Sequence, residues 1–254
     1  MPLNNDVLSR LDRGLNPTFI FEENNLTALP YQIELLECVA DTWLVLASRR
    51  AGKSTTVAAL AAHTALSLPD QSILVCLPTE AQAEIIIRMA KNLIVGAGLG
   101  SECKPFRKLL IEGKNSSRIE GLSTHNPNNL RSRGATMLIF DESQNISDEA
   151  ANVVLPMISN VDRPKLICIG TPGPKRWFYR LWKDESEEAR RIKLPATKIP
   201  FINQKTLDRQ KSIMTNNAFE AEFNVNWDSA EGSVFSTEIL NQTFKSCGRL
   251  FADS

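Results

Sequence analysis

Short apolar runs without internal alternation punctuate the chain: Trp43-Leu44-Val45-Leu46, Ser72-Ile73-Leu74-Val75-Cys76-Leu77, Met137-Leu138-Ile139-Phe140 and Lys165-Leu166-Ile167-Cys168-Ile169. Runs of this length read as strands buried on both faces. Helical patterns lie between them. Thr56-Val57-Ala58-Ala59-Leu60-Ala61-Ala62 follows the first run, and Ile85, Ile86, Met89 and Leu93 mark a long helix after the second, with Thr79 as its N-cap. Ser147-Asp148-Glu149 open a further helix reaching to about Ile158. Alternating buried strands and helices predict an α/β fold, a mainly parallel sheet with helices on both faces.

The margins of this pattern differ. Residues 1–29 are a polar, Asn-rich lead-in with the apolar island Phe19-Ile20-Phe21, and residues 33–39 read as a helix. Gly96, Gly98 and Gly100 follow a helix and read as a linker, while Gly113-Lys114-Asn115-Ser116 sits between two short strand patterns as a hairpin turn. After Pro174 the character changes to the aromatic-basic Lys175-Arg176-Trp177-Phe178-Tyr179-Arg180-Leu181-Trp182-Lys183, a charged strand Arg190-Arg191-Ile192-Lys193-Leu194, and short helices near 207–214 and 218–223. The expected division is therefore a core over residues 1–174 and a small appended subdomain over 175–254.

Candidate chemistry gathers at the strand ends. Ser48-Arg49-Arg50-Ala51-Gly52-Lys53-Ser54-Thr55 links the first strand to its helix. Loop N–H groups and a helix N-terminus in that setting surround an anion. Lys53 is placed to reach β- and γ-phosphates, and the Ser54 hydroxyl to ligate magnesium. The pattern G-x-x-x-x-G-K-[ST] would begin with a glycine at position 47, where this chain has Ala47. Asp141 and Glu142 close the third apolar run. Asp141 suits a magnesium ion held through water, and Glu142 suits activation of an attacking water as general base. Each motif alone has a plain alternative: an ordinary helix start for Gly-Lys-Ser, an N-cap for Asp-Glu. Together, in this order and about 90 residues apart, they describe a nucleoside-triphosphate hydrolase. Other positions stay open between two roles. The Gln32 amide either reads adenine or caps its own helix. Thr171, ending the fourth run, either senses a γ-phosphate or forms a Gly-Thr-Pro turn. Arg131 and Arg133 are either a solvated loop face or phosphate-directed.

Composition narrows the partners. The 254 residues are 43% hydrophobic and 23% charged, and 29 basic residues balance 29 acidic ones. Nucleic-acid contact would then use a local patch. No segment is apolar and long enough to span a membrane, and Met1-Pro2-Leu3-Asn4-Asn5-Asp6 lacks a signal-peptide pattern, so a cytoplasmic location is expected. The cysteines, Cys38, Cys76, Cys103, Cys168 and Cys247, show no C-x-x-C spacing. Neither a zinc site nor a disulfide framework is expected, and Cys76 and Cys168 read as core residues.

Taken together the motifs resemble the ATPase domain of the large terminase subunit of tailed bacteriophages, the motor that drives double-stranded DNA into a preformed capsid. The resemblance rests on Pro30-Tyr31-Gln32, the arginine-filled loop 48–54, Arg133-Gly134 ahead of Met137–Phe140 and Asp141-Glu142, Gly170-Thr171-Pro172, and Glu222-Phe223, Trp227 and Gly232-Ser233-Val234-Phe235. It implies a P-loop NTPase of the RecA/ASCE type with a small C-terminal lid subdomain, using ATP and Mg2+. By the same resemblance Gln32 meets adenine, residues 48–55 cradle the phosphates, and Ser54 and Asp141 hold the metal. Glu142 activates water, and Arg49 or Arg50 contacts the γ-phosphate in cis. Arg133, preferred over Arg131 because Gly134 follows, reaches a neighbour's ATP, and Thr171 couples hydrolysis to motion. Implied partners are double-stranded DNA, the portal protein, the small terminase subunit and copies of this chain in a pentameric ring on the procapsid in the host cytoplasm, with a monomer in isolation and no membrane. Large terminases normally continue into a nuclease domain; this sequence ends at Ser254, so no nuclease activity is expected of it. The rival readings are a helicase-type DNA-dependent ATPase, suggested by Pro78-Thr79-x-x-Gln82-Ala83, and a slowly hydrolysing scaffold. The first would need a second RecA-like domain, for which no sequence remains after Pro174; the Asp141-Glu142 pair argues against the second.

Overall fold

A computed structural model of the chain describes residues 13–37, 39–125, 134–186 and 188–230. Strands β1 (Thr42–Ala47), β2 (Ser72–Leu77), β4 (Arg118–Ser123), β5 (Met137–Phe140), β6 (Lys165–Gly170) and β7 (Ala189–Leu194) are parallel, and β3 (Leu110–Glu112) runs antiparallel to β4. The order across the sheet is β3-β4-β2-β5-β6-β1-β7. Strand β6 thus separates the two strands that end in the phosphate-loop and carboxylate motifs.

The apolar runs have no alternation because both faces of the sheet are covered, yet alternate residues still point to opposite sides. Trp43, Val45, Ile73, Val75, Ile139, Ile167 and Ile169 join one core. Over that face lie α2 (Pro30–Glu37), α3 (Lys53–Ser67) and α4 (Glu80–Gly96). Leu44, Leu46, Leu74, Cys76, Leu138, Phe140 and Cys168 join the other, under α5 (Asp148–Val154) and α6 (Trp177–Lys183). Right-handed crossovers explain the division. The chain moves one way across the sheet from β1 through β2 to β4, and the opposite way from β5 through β6 to β7. All parallel strands consequently end on one edge, where ligand sites of such sheets form.

Local signals agree with these elements. The Thr79 hydroxyl accepts from Gln82 N, and the Gln82 side chain accepts from Thr79 N, so α4 opens with a reciprocal cap. The apolar island of the lead-in forms α1 (Phe19–Glu22), burying Ile20 and Phe21. Cys76, Cys103 and Cys168 are buried and not in disulfides. No described helix is long and apolar enough to cross a membrane.

The division expected at residue 174 differs from the observed packing. Strand β7 pairs with β1 along its whole length, and Trp177 and Phe178 of α6 pack into the core beside Phe140. Trp177–Lys183 and Ala189–Leu194 therefore belong to the central layers. A separate small core begins afterwards. Ala196, Leu207, Phe219 and Phe223 cluster between α7 (Gln204–Ile213) and α8 (Asn216–Glu222), with Phe219 and Phe223 stacked at 5.1 Å.

Candidate nucleotide site

At the carboxyl edge of the sheet a cavity of about 660 Å³ is lined by residues 49–55 together with Gln82, Glu142, Gln144, Thr171 and Glu222. The loop at its floor departs from the usual glycine spacing for a visible reason. Ala47 is still a strand residue, paired with Leu194, so an extended backbone without a glycine serves there. The left-handed conformations fall later, at Arg50 (φ 61°) and Gly52 (φ 82°). Gly52 is also crowded: a Cβ there would stand 3.1 Å from Gln32 Nε2. Both its backbone angle and its neighbour require glycine.

Lys53, the first residue of α3, is 7% exposed and donates to the carbonyls of Ala47 and Ser48 at 3.3 and 3.0 Å. Burial holds its pKa below the usual lysine value, while the charges of Glu142 and Asp141 oppose that shift. Asp141 is 1% exposed and accepts a 3.2 Å hydrogen bond from the Ser54 hydroxyl. Burial, reinforced by the Glu142 charge, pushes its pKa up to about 6. A carboxylate raised in this way gains from a cation beside it. Among the described residues no three histidines, cysteines or carboxylates converge, so an ion here would rest on Ser54, Asp141 and phosphate oxygens.

Glu142 follows in the left-handed region at φ 53°. Its Oε2 accepts from Gln144 Nε2 at 2.5 Å, and Gln144 Oε1 accepts from Thr171 N at 3.2 Å. The turn holding them is pinned by the Ser143 hydroxyl, which donates toward both Phe140 O and Ile169 O. On the opposite wall, Arg49 Nε donates to Glu222 Oε2 at 2.7 Å and Arg49 N to Glu222 O at 3.0 Å.

With this geometry in place, the chain's relatives can be named. Residues 44–242 match the family profile described as terminase large subunit, T4likevirus-type, N-terminal. The chain belongs to this terminase family. Among solved structures it is similar to the large terminase ATPase domain of Thermus phage P74-26, with TM-score 0.70 and 18% identity over 82% of this chain and 96% of that one. The ADP complex of the large terminase of thermophilic bacteriophage D6E gives TM-score 0.64 at 15% identity, covering 85% of this chain and 52% of its own. The large terminase of bacteriophage HK97 gives 0.63 at 16%, covering 93% and 52%. The chain thus spans about half the length of the D6E and HK97 terminases. No curated protein matches the sequence. The fold is therefore that of terminase ATPase domains, a P-loop NTPase sheet.

Within this terminase fold, Arg49, Arg50, Ala51, Gly52, Lys53, Ser54, Thr55, Glu142 and Thr171 all meet at the cavity, with Asp141 just beneath. Two expected contacts do not line it. Ser48 is fully buried under the loop. Gln32 is 4% exposed, and its amide is engaged at both ends: Oε1 accepts from Leu29 N at 2.8 Å, and Nε2 donates to Thr56 Oγ1 at 2.7 Å. The bond from Leu29 N is the helix-capping contact. Arg131 and Arg133 lie outside the described residues. Nothing local in the sequence marks Gln144, because its bridge joins groups far apart in the chain. The signal that could have found it is the pair Gly170 and Gly173, where an added Cβ would come within 2.2 and 2.6 Å of the Gln144 side chain.

Proposed function

We propose that this chain is the ATP-hydrolysing motor domain of a phage DNA-packaging terminase. The observation that carries the reading is that Lys53, Ser54 and Glu142 line one cavity at the carboxyl edge of the sheet, with Asp141 bonded to the Ser54 hydroxyl behind them. Lys53 would leave its loop carbonyls for the β- and γ-phosphates, as a charge-assisted contact. Ser54 and Asp141 would hold Mg2+, which when bound offsets phosphate charge. Glu142 would orient a water and take its proton. Arg50 lines the cavity without a partner among the described residues, and Arg49 lies beside it; either would reach the γ-phosphate in cis. Arg133 is proposed to serve a neighbouring subunit's ATP, where an arginine finger contributes roughly 10³–10⁵ in rate.

Family membership supports a reading of the rest of the assembly. The substrate moved would be double-stranded DNA, and the chain would act in a ring, a pentamer, with portal protein and small terminase subunit on a procapsid in the host cytoplasm. The helicase alternative is not favoured: Thr79 and Gln82, which suggested it, form the α4 cap.

Three substitutions test the reading in an ATPase assay paired with nucleotide titration. Lys53→Ala should abolish turnover. Glu142→Gln should bind Mg·ATP with near wild-type affinity and not hydrolyse it, because an amide cannot accept the water's proton. Asp141→Asn should weaken Mg·ATP binding. Wild-type turnover in Lys53→Ala would overturn the site, and identical titrations of the two carboxylate variants would overturn the division of labour.

A further inference from the structure

Resting on that reading of Glu142, we infer that Gln144 is a positioning residue that fixes the Glu142 carboxylate against the end of β6. Glu142 sits in a left-handed backbone conformation that is costly for a non-glycine residue and persists only where surroundings enforce it. Gln144 supplies one such constraint. Its Nε2 holds Glu142 Oε2 at 2.5 Å, while its Oε1 is held in turn by Thr171 N at 3.2 Å. Glu142 Oε1 has no partner among the described residues, so one carboxylate oxygen is anchored and the other remains for a water.

The space for this bridge is built into the opposite strand. Gly170 and Gly173 flank the Gln144 side chain, and a methyl at Gly170 would lie 2.2 Å from Gln144 Oε1 and 3.2 Å from Ser143 N. Gln144 itself is 7% exposed. Being nearly buried, it cannot exchange its two partners for water without loss. A glutamine is matched to the task because its amide donates to a carboxylate and accepts from an N–H at once. Alanine does neither. Glutamate keeps the shape but turns the donor into a second negative charge facing Glu142.

Steady-state kinetics and ATP titration on the full chain test this. Gln144→Ala should lower kcat roughly 10–100-fold, part of the 10²–10⁴ that a positioned general base supplies. KM and the dissociation constant for ATP should stay within about twofold, since uniform binding is untouched. Gln144→Glu should lose at least as much, although its volume is unchanged. Gly170→Ala, which displaces the amide while leaving Gln144 in place, should reproduce the kcat loss. A pure packing role predicts instead that Gln144→Glu behaves as wild type. That result, or a wild-type kcat in Gln144→Ala, or a loss confined to ATP affinity, would overturn the inference. The Lys53→Ala and Glu142→Gln controls separate this failure from that of the wider reading: if both stop turnover while Gln144→Ala does not, only the positioning role falls.

Discussion

Gln32 does its work from behind the phosphate loop. Together with Tyr31, whose hydroxyl donates to Ala51 O at 2.7 Å, it braces the turn through Thr56 and Gly52. Tyr31 is buried deeply enough that desolvation pushes its pKa up to about 12, so it stays a neutral donor. A buried neutral hydrogen bond contributes about 0.5–1.5 kcal/mol. Gln32→Ala should therefore raise KM about 3–10-fold for ATP and GTP alike, leaving their ratio unchanged. A selective loss for ATP, measured in parallel titrations, would return the amide to the base. The residue types at this site were legible because phosphate and carboxylate chemistry recurs with local spacing: Gly52-Lys53-Ser54 and Asp141-Glu142 are each contiguous. Gln32 and Gln144 were not legible in the same way. A glutamine's role is set by what folds against it, and Thr56 and Thr171 lie 24 and 27 residues away.

At the scale of elements, the loop after β1 is tied to β7 through Ser48 and to α8 through Arg49, not only to its own helix. Ser48 N donates to Leu194 O, Ala196 N to Phe223 O, and Arg49 to Glu222 through both backbone and side chain. The side-chain pair is half in solvent, Arg49 being 65% exposed against 23% for Glu222. Its direct worth is accordingly small, about 0.2–1 kcal/mol after screening. A double-mutant cycle of Arg49→Ala and Glu222→Ala, followed by denaturant unfolding, should give a coupling in that range that shrinks at high salt. A coupling of zero at low salt would mean the pair does not persist in solution. Strand β7 shows why a boundary near residue 174 is hard to read from sequence. Ala189–Leu194, at the edge of the sheet, mixes exposed Arg190 and Lys193 with half-buried residues, so it lacks the continuous apolar signal of the inner strands. An edge strand of a core sheet and a strand of an appendage look the same in sequence.

For the molecule as a whole, the two edges of the sheet carry different kinds of space. Opposite the nucleotide site, near the strand starts, a cavity of about 540 Å³ is bordered by His63, Leu36, Leu68, Thr136 and Lys165. Burial lowers the His63 pKa below 6.5. Well above pH 6.5 the imidazole is neutral in folded and unfolded chains alike. As pH falls below that value the unfolded chain takes up the proton first, and stability drops until the folded pKa is also passed. Glu37, Asp162, Arg163 and Lys165 face the same space. His63→Gln should flatten part of the acid-side fall in denaturation midpoint, measured from pH 7 downward. An unchanged pH profile would place the protonation elsewhere.

Strand β1 has hydrogen-bonded partners on both sides, β6 and β7, and both run in its own direction. Tension applied along such a strand loads its lateral bonds in parallel, so they must shear together instead of parting one after another. In a machine that pulls against resistance, the loop after Ala47 would hang from a strand held on both sides. Force reaching Lys53 would be shared by the whole sheet before it could deform the pocket.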